Sequence, residues 1–144
     1  VISDPYPAVV IHRLADARAA LAAGCPVTLL SAPGAALYAG SLWWRALIER
    51  ARTNHTDVPM EDILDCADAS GLALGALRIG QRLLVLDPCA PGWHAVAAIA
   101  TSQGGALLAA RPPALDLAQR GATRRLHDWL QLRTCQGDRS GAVS

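Results

Sequence analysis

The sequence predicts an α/β protein built on a parallel sheet, and three observations lead there. Short aliphatic runs of strand length alternate with longer Ala- and Leu-rich segments of helical length along the whole chain. The runs are continuously apolar rather than alternating, as expected of strands covered on both faces. Several helical segments end in glycine, which accepts the left-handed backbone of a helix terminus. Together they predict a single three-layer α/β/α sandwich of about five mostly parallel strands, doubly wound in a flavodoxin-like or Rossmann-like order. One domain over residues 1–134 and a flexible tail over 135–144 are expected, the tail resting on the polar stretch CQGDRSGAVS.

The first strand is AVVIH, residues 8–12, after a Pro-containing arm. A helix over about 14–23 follows and stops at Gly24. VTLLS, residues 27–31, is the second strand, and the turn APGAALYAG leads into a helix over about 41–52. On that helix Trp43, Leu47 and Ala51 recur at helical spacing, as do Trp44 and Ile48, while Arg45, Glu49 and Arg52 fall elsewhere. Adjacent tryptophans diverge, so one is expected on the sheet and the other at a flank or a partner subunit.

After the polar loop TNHTDVPMED comes the strand ILDCA, residues 63–67, and an apolar helix that ends at Gly80. RLLVLD, residues 82–87, is the fourth strand, and Pro91 opens a helix that closes at Gly104. ALLAA, residues 106–110, is the fifth strand. Arg111-Pro112-Pro113 cannot be strand interior, and a last helical region is expected over about 124–132.

Composition excludes several chemistries. The chain has 13 Lys plus Arg against 12 Asp plus Glu, a formal net charge of +1, and no basic footprint for nucleic acid. Every one of those bases is arginine, which with the Ala, Gly and Pro content suggests a GC-rich, bacterial coding sequence. Without lysine there is no Schiff base, no lysine-anchored pyridoxal phosphate, no Walker-A loop and no kinase lysine. A phosphoreceiver is excluded on the same ground, and because His12-Arg13 rather than acidic residues follow the first strand. Cys25, Cys66, Cys89 and Cys135 form no C-x-x-C pair, and no set of residues has metal-ligand spacing, so no metal is expected. No apolar stretch approaches the roughly 20 residues that cross a bilayer, and residues 1–7 do not resemble a signal peptide. A soluble cytoplasmic setting, with neither membrane nor nucleic acid as partner, is the expectation.

In open parallel sheets ligands gather beyond the carboxyl ends of the strands, where the strand order reverses, and the first strand flanks that reversal in either expected order. The residues leaving the strand ends are His12 and Arg13, Ser31 and Gly34, Asp65 to Asp68, Asp87 with Cys89, and Arg111. His12, Ser31, Asp68 and Asp87 are the candidate catalytic or hydrogen-bonding groups. Arg13, Gly34, Asp65 and Arg111 are the candidate ligand-binding groups. Each has a structural alternative: Asp68 or Ser70 as a helix cap, Asp87 as a turn residue before Pro88, His12 as a partly buried histidine bonded to backbone, Arg111 as a solvated loop residue, Gly34 as a turn glycine. Backbone N–H groups of the turn SAPGAALYAG are a further anion-binding candidate, although its spacing matches no phosphate-loop motif.

Two functions follow as expectations. One is a domain that binds a small anionic metabolite, a nucleotide or sugar phosphate, over the strand ends, with no cofactor specified. The other is a non-catalytic assembly module, a homodimer joined through an apolar surface around Trp43 or Trp44 and Trp129.

Overall fold

The computed structural model describes residues 6–137, with side chains described through residue 132. The elements run β1 (Ala8–Ile11), α1 (Leu14–Ala22), β2 (Val27–Ser31), α2 (Ala35–Tyr38), α3 (Ser41–Arg52), β3 (Met60–Asp65), α4 (Ser70–Arg78), β4 (Leu83–Val85), α5 (Trp93–Ser102), β5 (Ala106–Leu108), β6 (Ala114–Asp116) and α6 (Ala122–Gly137). Among the described residues the strands form one all-parallel sheet of six, in the order β5-β4-β3-β2-β1-β6. The winding moves strand by strand from β1 to β5 and then reverses to set β6 on the other side of β1. The expected α/β class, parallel pairing and double winding are all present, with β1 at the reversal.

The strand count is six rather than five. β6 is three residues long and follows Pro112-Pro113, so no aliphatic run announces it; as an edge strand it tolerates prolines at its entry. β3 starts at Met60, inside the stretch read as a polar loop, because Glu61 and Asp62 pair with Thr28 and Leu29 despite their charge. It stops at Asp65 rather than Ala67, since the backbone of Ala67 turns left-handed, φ 51°. β4 and β5 are shorter than their apolar runs, and α6 continues to Gly137, three residues into the predicted tail. Residues 138–144 of that tail, and the start of the N-terminal arm, lie outside the described residues.

The sheet separates two apolar clusters. On one face Val9, Leu29, Leu64 and Leu84 meet the buried residues of the helices, including Leu21, Trp44, Leu77, Val96 and Leu130. On the other face Val10, Leu30, Ile63 and Val85 pack with Leu83, Leu108 and Ala114, and every member comes from a strand. No helix of the described residues is long and apolar enough to cross a membrane.

Trp44 settles which tryptophan faces the sheet. It is fully buried, and its indole N–H donates to Asp62 Oδ2 at 3.0 Å. Arg45 adds a two-pronged bond to the same carboxylate at 3.2 and 3.3 Å, and the buried Gln81 amide donates to it at 2.9 Å. Four donors thus satisfy one acidic group and fasten α3 and β3 to the start of β4, at the edge opposite the strand ends.

Gly105 is required by a close approach. A Cβ there would stand 2.0 Å from the carbonyl oxygen of Arg82, whose backbone pairs with β5 through Ala106 N–H at 2.9 Å. Gly105→Ala is therefore expected to displace β5 from β4 and to destabilise the fold by about 2–3 kcal/mol or more, measured by urea denaturation.

Candidate functional site

The residues leaving the strands do collect on one edge of the sheet, and Arg111 is central to how they are held. β5 and β6 occupy opposite edges, so residues 109–113 between them run across the strand ends. Arg111, in the middle of that strap, donates to Asp65 Oδ2 at 2.7 Å and to the carbonyl of Ser31 at 3.0 Å. It is a partly buried ion-pair residue and not a solvated loop arginine. Asp65, nearly buried at the end of β3, also receives the N–H of Ala67 at 2.8 Å. That bond, and the donation of Asp87 N–H to the Ala67 carbonyl at 2.7 Å, sustain the left-handed backbone at Ala67. Gly34 has φ +65°, a left-handed backbone that glycine suits at the start of α2.

Ser31 is fully buried. Its hydroxyl accepts the N–H of Asp65 at 2.9 Å and donates to the carbonyl of Ala32 at 3.1 Å, so it braces the rim rather than facing a ligand. The Cys66 thiol is pushed up to about 12, first by burial and then by the charge of Asp65, and stays protonated and unreactive at neutral pH.

A cleft of about 500 Å³ opens between the ends of β3, β4 and β5, with Asp65, Asp68, Asp87, Pro88 and Arg111 on its walls. Asp68 is not a cap: Ala69 takes that position on α4 without any side-chain bond, and Ser70 donates instead to the Pro91 carbonyl. The Asp68 carboxylate is exposed and has no hydrogen bond among the described residues. Asp87 does close its own turn, accepting Cys89 N–H at 2.8 Å. The cleft therefore carries three carboxylates against one guanidinium, and that guanidinium is committed to Asp65. Among the described residues no three His, Cys, Asp or Glu side chains gather as a metal site.

At the reversal, His12 Nε2 and Asp116 Oδ1 lie 2.7 Å apart, joining the end of β1 to the end of β6. The His12 ring is therefore paired with a side chain rather than with backbone. Desolvation works to raise the Asp116 carboxyl, but the N–H of Ala118, the His12 bond and the charges of His12 and Arg111 outweigh it and hold the group below its ordinary value. An ionised carboxylate only accepts, so the hydrogen of this bond resides on Nε2 and the imidazole keeps Nδ1 for other partners. Asp116 was not among the residues singled out in the sequence; the apolar-to-acidic ending ALD after two prolines was the available signal.

His12 also lines a second groove of about 330 Å³, with Arg13, Trp43, Leu47 and Arg50, between the start of α1 and the outer side of α3. Arg13 makes a long 3.4 Å contact to Asp16, whose other oxygen caps His12 N–H at 2.9 Å. Trp43 is the exposed tryptophan of the pair, whereas Trp44 is buried and Trp129 is half-buried with its N–H on the Ala8 carbonyl at 2.9 Å. Neither Trp44 nor Trp129 builds the apolar surface expected of them. Two recesses result, an acidic one at the ends of β3 to β5 and a basic, Trp-lined one beside the end of β1. No protein family and no characterised protein matches the chain.

The sign of the Asp116 shift sets a pH dependence. A carboxyl held low in the folded state adds stability above its unfolded value, and that contribution is lost as pH falls through the folded value. Asp116→Asn should therefore lower stability at pH 7, and its difference from the wild type should shrink as the pH drops below the ordinary carboxylate range, followed by denaturation midpoints across pH.

Proposed function

We propose that the protein binds a small anionic metabolite, of the nucleotide or sugar-phosphate class, at the strand-end rim, and that the anion sits in the groove beside β1. One observation carries this reading: His12, Arg13 and Arg50 line a single groove whose walls include no carboxylate. The cleft beside β3 to β5 repels the same ligand, because it sets three carboxylates against one guanidinium. Arg13 and Arg50 supply forked donors that match phosphate or carboxylate oxygens. Asp68 and Asp87 line the separate cleft beside β3 to β5, and the carboxylates nearest the groove are Asp116 and Asp16, bonded to His12 and Arg13.

The test is thermal stability of the wild type, Arg50→Gln and Asp68→Ala with inorganic phosphate, ribose 5-phosphate and AMP. A ligand at about 100 times its Kd adds roughly 2.7 kcal/mol to the native state. Stabilisation of the wild type that is lost in Arg50→Gln and kept in Asp68→Ala is the expected result. No response to any of the three anions overturns the reading.

A second reading, a homodimer, has its own support. Leu37, Tyr38, Leu42 and Trp43 are between 38% and 73% exposed and fall within one short stretch, α2 and the start of α3. Apolar side chains left in water so close together suit a subunit contact. Sedimentation should then show a dimer that Leu42→Glu dissociates; a monomer at every concentration removes this reading.

A further inference from the structure

We infer that the groove beside β1 takes a mononucleotide, with the base stacked on Trp43 and the phosphate held by Arg50 and Arg13. The inference rests on the reading that this groove is the anion site, and goes further by choosing between the two ligand classes that reading allows.

Trp43 supplies the first observation. Its ring lies 6.2 Å from that of Trp44, tilted by 45°, and Trp44 is locked in the core by its bond to Asp62. The exposed ring is thus backed by a fixed one, a platform that loses little freedom when a planar group settles on it. Sugar phosphates have no flat face to offer such a platform, whereas every nucleobase does.

Spacing along α3 supplies the second. Trp43, Leu47 and Arg50 follow one another at four and three residues, so they share a side of the helix. Two turns separate the indole from the guanidinium, about 10 Å of axial rise, which leaves room for a ribose between base and phosphate. Arg50 has no hydrogen-bond or ion-pair partner among the described residues. Arg13 is shared with Asp16 at 3.4 Å, a contact loose enough to exchange for phosphate oxygens.

Size and the remaining polar atom agree with this. At about 330 Å³ the groove falls at the small end of the roughly 300–1,000 Å³ range of ligand sites, a size in keeping with a mononucleotide. His12, with Nε2 occupied by Asp116, has Nδ1 left to bond a ribose hydroxyl.

The experiment is isothermal titration, with tryptophan fluorescence as a parallel readout, of the full chain with AMP and ribose 5-phosphate. Wild type, Trp43→Leu, Trp43→Tyr and Arg50→Gln are compared, each checked for native circular dichroism. AMP should bind more tightly than ribose 5-phosphate by about 5- to 150-fold, the range that stacking one base supplies. Trp43→Leu should remove that preference without changing ribose 5-phosphate binding, Trp43→Tyr should keep most of it, and Arg50→Gln should weaken both ligands. Equal binding of the two ligands, or a preference that survives Trp43→Leu, overturns the inference and leaves the anion site standing. Binding of neither ligand overturns both.

Discussion

The ion pair between Arg111 and Asp65 is the contact through which the strand-end rim is organised. A chain that leaves β5 at one edge of a parallel sheet and enters β6 at the other has to pass over the ends of the strands between, and residues 109–113 have little secondary structure to guide them. The guanidinium fastens that passage at its midpoint to two strands at once, through the Asp65 carboxylate and the Ser31 carbonyl. Side-chain exposures of 6% for Asp65 and 25% for Arg111 place the pair where desolvation is a real cost, offset by the extra bonds each partner makes. The placement of β6 depends on this fastening, and Asp116, which orients His12, is the last residue of β6.

How much of this could be read from the sequence differs by element, for physical reasons. α3 and β2 have the expected limits because their signals are strong: a helical repeat of apolar residues bounded by Gly40, and an aliphatic run bounded by turns. The first half of β3 was hidden because its residues there are Met, Glu and Asp, and only the tertiary bonds from Trp44, Arg45 and Gln81 make Asp62 compatible with a covered strand. β6 was hidden by its length and its prolines, and Asp116 with it. The convergence of His12, Ser31, Asp65, Asp68, Asp87 and Arg111 on one edge was legible, since strand direction alone requires it. Their division was not, because it depends on which cation meets which carboxylate across more than 40 residues of chain, as Arg111 and Asp65 do at a separation of 46.

The two edges of the sheet handle charge in opposite ways. At one, a single carboxylate, Asp62, is saturated by an indole, a guanidinium and an amide, and the cluster ties elements together. At the other, Asp68 and Asp87 keep bonding capacity that the fold does not use. Unused capacity of this kind, set on a backbone that is itself well bonded, is what separates a surface able to recognise a ligand from one that merely faces water.

The position of β6 also bears on how the molecule forms. Strands β1 to β5 add in chain order, each beside its predecessor, so those pairings close over short stretches and are cheap in loop entropy. β1 meets its second neighbour only when Ala114 to Asp116 arrive, and His12 and Asp116 are 104 residues apart. Until then the β1 edge offers unpaired backbone groups to any extended chain nearby. During synthesis on a ribosome, that edge is open for most of the elongation time, and its closure is a late, non-local step of the kind that slows folding.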